Sequence, residues 1–204
     1  MSSILKVDNL QTGAGATHSL SSLGVTGAGS VLQEIHGICD GRTVSGVTLP
    51  TCSGVQALTT TFTDITGSEI SYTPPAGTTN VIYILDFHWQ SEGRSGISHY
   101  SFFIDGTEAT IIQRSQASAY GSSTHGCQRQ HYEYPILIDS SLAADDIANL
   151  KLKSWTSART LKMQAREYNS SYQADLHNNK YWNGTGASGD QVFAKPTMTI
   201  KAIA

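Results

Sequence analysis

Asn80–Gln90, NVIYILDFHWQ, is the stretch whose reading decides the fold. Alternation places Val81, Tyr83, Leu85, Phe87 and Trp89 on one face of a strand, and Ile82, Ile84, Asp86 and His88 on the other. β-Branched and aromatic side chains fit a pleated surface better than a helix. Both faces are apolar at the start, so this strand belongs at the centre of a sheet or at a subunit contact.

The same period continues on either side. Upstream, Val31–Ile38 reads as a first strand, although Ser30 and Gln33 also mimic a helix capping box that Gly37 weakens. Ala57–Thr63 and Glu69–Thr73 are Thr- and Ile-rich strands, the second stopped by Pro74-Pro75. Downstream, Asp105-Gly106 between two apolar runs signals a two-residue hairpin turn. Gln130–Asp139 is a strand that Pro135 confines to an edge or a bulge. Leu150–Trp155 and Leu161–Tyr168 read as a second hairpin, with Leu150, Leu152, Leu161, Met163 and Ala165 inward. Gln191–Ile203 closes the chain, with Val192, Ala194, Met198, Ile200 and Ala202 on one face. About ten strands and no long helix predict an all-β sandwich, most simply a jelly roll.

Residues 1–61 hold no aromatic and five charges, Lys6, Asp8, Glu34, Asp40 and Arg42; all 17 aromatics lie beyond. Within residues 1–29 the phrases TGAGAT (12–17) and TGAGS (26–30) are near-copies. Small residues at this density build no core of their own. The chain therefore divides into an extended N-terminal arm, 1–29, and a sandwich domain, 30–204. Ile4, Leu5, Val7 and Leu10 are the apolar residues by which the arm would dock, against the bland alternative of a flexible tail.

Composition narrows the function. The 204 residues include 25 Ser, 22 Thr and 19 Gly, but only 13 Lys+Arg and 16 Asp+Glu. Polarity is carried by hydroxyls and backbone. A net charge of −3 gives no field for nucleic acid. No run is long enough for a membrane helix, and MSSILKVDNLQTG lacks the apolar stretch of a signal peptide. Three cysteines without a secretory signal read as free thiols, although Cys39 and Cys52 could pair across a loop.

Catalytic constellations are thin. His125, Cys127 and His131 are ligand types at short spacing, but no second pair completes a zinc site, so no metal or cofactor is expected. Asp86, His88, His99 and Ser101 form a triad on paper only, without a nucleophile elbow or an oxyanion hole. Asp105, Asp139, Asp145, Asp146 and Asp190 suit turns, and nothing separates an acid from a nucleophile. The chain is read as non-enzymatic.

Two groups suit contact with the outside. Lys151, Lys153, Trp155, Arg159, Lys162 and Arg166 on the proposed hairpin would offer cations and an aromatic to an anionic glycan. The bland reading is a solvated face that guards against sheet aggregation. Tyr172, Tyr181 and Trp182 lie among Ser, Asn and Gly, the composition of adaptable recognition loops, or else pack inward.

Several phrases carry a resemblance. SSILKVDNLQT (2–12) resembles the N-termini of virion proteins of marine tailed bacteriophages. TTTFTDITGSEISYTPPAGTTNVIYILDF (59–87) looks like a recurring phage-fibre phrase, and FFIDGTEAT, LKSWTSARTLKMQAREY and NNKYWNGTG complete the likeness. It runs from about residue 30 to the end, more weakly over 1–11, and residues 39–54 look like an insertion. The resemblance implies a homotrimeric jelly-roll protein on the virion, assembled in the host cytoplasm with other tail or capsid proteins. A tail-fibre or adhesin module touching host glycan is the leading reading. A capsid decoration or cement protein docked by its arm is the rival, and a polysaccharide depolymerase the third.

Overall fold

A computed structural model describes residues 9–11, 17–19, 28–91, 96–112, 114–117, 126–181 and 190–204. Eight principal strands follow in chain order: β1 Val31–Ile38; β2 in two pieces, Thr63–Asp64 and Ile70–Tyr72; β3 Asn80–Ser91; β4 Ile97–Ile104; β5 Arg114–Ala117; β6 Cys127–Ile138; β7 Arg159–Glu167; and β8 Thr197–Ile203. One sheet is ordered β1-β8-β3-β6 and the other β2-β7-β4-β5, with every principal pairing antiparallel. Two four-stranded sheets in this order are the Greek-key pattern of a jelly roll.

The β3 strand holds the centre of its sheet, as its two apolar faces require. It pairs with β6 along its whole length, and with β8 and then Ala174–Leu176 on its other edge. Val81, Tyr83, Leu85, Phe87 and Trp89 are buried and the alternate residues half-buried. Opposite them lie Tyr100, Phe102 and Ile104 of β4 and Leu161, Met163 and Ala165 of β7. Rings fill the space between. Phe102 stacks on Tyr134 with centroids 4.3 Å apart, and Tyr100 meets Tyr132 at 4.9 Å. Such offset contacts add about 0.5–1.5 kcal/mol each beyond area burial.

Asp105 and Gly106 both have positive φ, 50° and 79°, and turn β4 back onto Thr107–Glu108. Pro135 lies on the outer edge of β6, which among the described residues is paired on that side at Leu137 and Ile138. Both features match the sequence.

Three expectations are corrected. Leu150–Trp155 and β7 are not a hairpin. Lys151–Leu152 pairs parallel with Leu137–Ile138 in the first sheet, whereas β7 lies inside the second. Residues 153–158 cross between the sheets, and Trp155 plugs that crossing. Ala57–Thr63 is not one strand: Gln56–Ala57 joins the first sheet and Thr63–Asp64 the second. Threonine favours extended backbone, but each end bonds to a different sheet. Gln191–Ile203 is likewise broken at Lys195-Pro196. Asp190–Phe193 pairs with Asn178–Tyr181, and Val192 is exposed. Proline has no N–H to carry the ladder across.

The domain has two poles. At one, Gly29 N–H donates to Ala204 O and Ala204 N–H to Ser30 O, which sets Gly29 and Ser30 beside the C-terminal strand. Tyr72, Asn80, Asp105, Ile138 and Arg159 share this pole through the strand registers. At the other lie Ser91, Gly96, Cys127, Glu167 and Ala174. Nearer the N-terminus, Asn9–Gln11 pairs with Thr17–Ser19 antiparallel. Ile4, Leu5 and Val7 lie outside the described residues; Leu10 is on the first of these strands.

Candidate functional site

The basic cluster does not form one face. Lys151, Lys153, Trp155 and Arg159 are at the arm pole, while Arg166 is near the opposite one. Trp155 is only 5% exposed, so its ring offers no stacking platform. It and Lys153 line a cleft of about 420 Å³ with Pro74, Pro75, Thr78 and Ile138. Arg159 spends its guanidinium on Asp105 at 3.1 Å and Asp145 at 2.7 Å. Burial opposes charge on Asp145, but the Lys153 N–H and Arg159 hold its carboxyl below the usual range. A carboxylate held ionised in this way is no general acid. Lys162 bonds Asp64 at 2.8 Å, and that bond raises the ammonium above its ordinary value. These cations tie the fold's own carboxylates together.

A different surface gathers at the far pole, on the outer face of the second sheet. The registers place His99 opposite Arg166, and Phe62 directly precedes Thr63, the partner of Ala165. The Arg166 guanidinium carbon stands 5.3 Å from the Phe62 ring centroid. Just past β7, Tyr168 lies 6.5 Å from His99 and meets Tyr172 edge to face at 5.9 Å. Tyr168 is 53% and Phe62 38% exposed. Partial burial, and then the Arg166 charge, push His99 below its ordinary value, so this imidazole is neutral at pH 7. The result is a partly exposed row of rings with the Arg166 guanidinium over Phe62. Ring faces take the apolar side of a sugar, and the guanidinium a carboxylate or sulfate.

Of the residues singled out in the sequence, this patch brings together Arg166 and Tyr172. Tyr168, two residues beyond Arg166, belongs to it as well, and Phe62 and His99, distant in sequence, become neighbours of Arg166 through sheet register. Tyr181 lies on the strand Asn178–Tyr181, and Trp182 lies outside the described residues.

The paper triad is dispersed. Asp86 bonds His131 at 3.0 Å on the outer face of the first sheet. His99 and Ser101 are in the second sheet, where Ser101 donates to Glu108. Among the described residues no three His, Cys, Asp or Glu side chains converge as a metal site. His125 lies outside those residues. Cys39, Cys52 and Cys127 are free thiols.

No protein-family model matches the chain. No curated protein matches it. Among solved structures, a chain from infectious bursal disease virus, Gx strain, is similar at 9% identity and a TM-score of 0.26. The match covers 76% of this chain and 42% of that one. A likeness at that level carries no argument, and the jelly roll rests on the strand order itself.

Proposed function

We propose that the chain is a non-enzymatic structural protein of a virus particle: a homotrimeric surface appendage of a tailed phage, anchored by residues 1–29 and touching host glycan with its far pole. The observation that carries this reading is polarity. Gly29 and Ser30, which follow the proposed anchor, lie at one end of the sandwich, and the partly exposed aromatic row with Arg166 lies at the other. An adhesin needs that separation, because its anchor and its contact surface must not compete for space.

Trimerisation draws support from the outer face of the first sheet. Val31, Ile38 and Leu137 are exposed on it, and Ile82 and Ile84 half-buried. Its charges are largely paired, Lys201 with Glu34 and Arg129 with Asp86. Such a face loses little on leaving water.

The test is gold labelling of purified particles with an antibody to the domain, together with mass photometry of the free protein. Trimers in solution and label at the tail tip support the reading. A monomer at micromolar concentration removes the trimer, and label over the whole head replaces the adhesin with a decoration protein. Release of reducing ends from host polysaccharide would overturn the non-enzymatic assignment.

A further inference from the structure

Cys39 and Cys52 face each other where the chain leaves β1 and returns. Gly41 N–H donates to Pro50 O at 3.3 Å, Asp40 bridges to Thr51, and Cys52 N–H donates to Cys39 O at 2.9 Å. Three successive pairs keep one antiparallel register, so the cysteines are directly opposite. Opposite residues project from the same side of such a ladder. Gly67 gives an independent check. A Cβ placed on it would lie 2.9 Å from the Cys52 Cβ and 3.4 Å from the Cys39 Cβ. Both side chains therefore crowd one spot beneath its backbone. Both residues are buried, at 0% and 1% exposure, and both are thiols.

We infer that Cys39 and Cys52 are a site of covalent closure, which a small disulfide such as oxidised glutathione converts to an intramolecular disulfide. Opposite Cβ atoms on paired strands lie about 4.5–5.5 Å apart. A disulfide wants about 3.5–4.5 Å, so closure draws the segments together by about 1 Å. The intervening residues 40–51 fold back on themselves through Thr43–Val44 and Val47–Thr48, turning at Ser45 and Gly46. They can follow that movement without shifting a principal strand.

The exchange balances in two steps. Cys52, whose Sγ lies 3.5 Å from Thr66 Oγ1, attacks the glutathione disulfide as its thiolate. A mixed disulfide forms and one glutathione thiolate leaves. Cys39 then attacks the Cys52 sulfur, and the second glutathione thiolate leaves. The two protons from the protein thiols end on the two glutathiones, and two electrons pass from the cysteine pair to glutathione. Burial above all, and then the neighbouring Cys52 and Asp40, push the Cys39 thiol up to about 12, which makes it the second attacker. Closure therefore waits on local opening of the segment and is slow.

The consequence for a particle rests on the function proposed above: thiols during assembly in a reducing cytoplasm, a bond after release. The bond itself does not depend on that reading.

The test uses full-length protein carrying Cys127→Ser, exposed to oxidised glutathione. Expected are the loss of both thiols, a linked peptide pair containing Cys39 and Cys52, and a mass lower by two hydrogens. The melting temperature should rise by about 5–10 °C and fall back with dithiothreitol. Adding Cys52→Ser or Cys39→Ser should abolish the rise. Should either variant fold poorly, thiol counting on the unmodified pair under denaturing conditions decides alone. Two thiols remaining after prolonged exposure, stable glutathione adducts, or intermolecular dimers would overturn the inference. None of these outcomes bears on where the protein sits in a particle.

Discussion

Trp155 donates its indole N–H to the carbonyl oxygen of Tyr72 at 3.1 Å, and the two rings meet edge to face with centroids 6.0 Å apart. Tyr72 belongs to the second sheet, and Trp155 to the segment arriving from the first. Tyr72 in turn donates its hydroxyl to Gln33 Oε1 at 2.9 Å, back in the first sheet. The arm pole is thus closed by one stitched contact. Trp155→Phe keeps a ring and loses the donor, and should cost about 0.5–1.5 kcal/mol. Trp155→Ala should cost about 3–5 kcal/mol. Urea denaturation of both variants orders them; equal midpoints would show the hydrogen bond contributes nothing.

His177 is fully buried, at a backbone φ of 61°, with the Thr66 backbone favouring its charged form against the burial. Burial is the main cause that pushes its imidazole down to about 4, with the nearby His88 adding to it. Between that value and the ordinary one near 6.5 the unfolded chain binds the proton and the folded chain does not. Stability is therefore intact above about pH 6.5 and falls as pH drops toward 4, by about 3 kcal/mol. His177→Gln should flatten that window. Thermal melts at pH 7.5 and 5.0 on both proteins check it, and an equal pH loss in the variant would assign the effect elsewhere.

Gly106 and Asp105 together make the β4 turn. Asp105 also accepts the Thr160 N–H at 2.8 Å and the Arg159 guanidinium at 3.1 Å. Gly106→Ala forces a Cβ into positive φ and should cost about 1 kcal/mol. Asp105→Ala removes the two acceptors as well and should cost more. Chemical denaturation distinguishes them, and the reverse order would mean that the side-chain bonds are idle.

Arg166→Glu or Tyr168→Ala should reduce adhesion to host cells several-fold while leaving the melting temperature within a degree or two, since both side chains face outward. Lys153→Glu, at the opposite pole, should leave adhesion unchanged. Flow cytometry of labelled protein on host cells reads all three. Loss of adhesion through Lys153 alone would move the contact surface to the arm pole.

Strand identity was legible where period 2 was long and uninterrupted. Asn80–Gln90 and the inward set Leu161, Met163 and Ala165 follow from side-chain alternation alone. The Asp105-Gly106 turn follows from the backbone conformation those residues tolerate. Pairing was not legible where a connection crosses between sheets. Leu150–Trp155 and Leu161–Tyr168 are short apolar runs around a polar link, which is also how a hairpin looks. Only burial of Trp155 against Tyr72 separates the two cases. The far-pole patch was half legible. Arg166 and Tyr172 stand out by residue type, but Phe62 and His99 join them through register across three strands. The basic cluster misled because the carboxylates that neutralise Arg159 and Lys162 come from Asp105, Asp145 and Asp64, far away in sequence.

The position of β8 bears on how the molecule is made. Among the described residues β1 pairs only with β8, and β8 lies between β1 and β3. Ile35 and Ile200 occupy one register position, 165 residues apart along the chain. During synthesis, the first strand of the sandwich leaves the ribosome long before β8 exists. The first sheet stays split down its middle until β8 emerges. Contacts this remote along the chain favour slow folding, and the unzipped edges of β1 and β3 are open to foreign strands meanwhile.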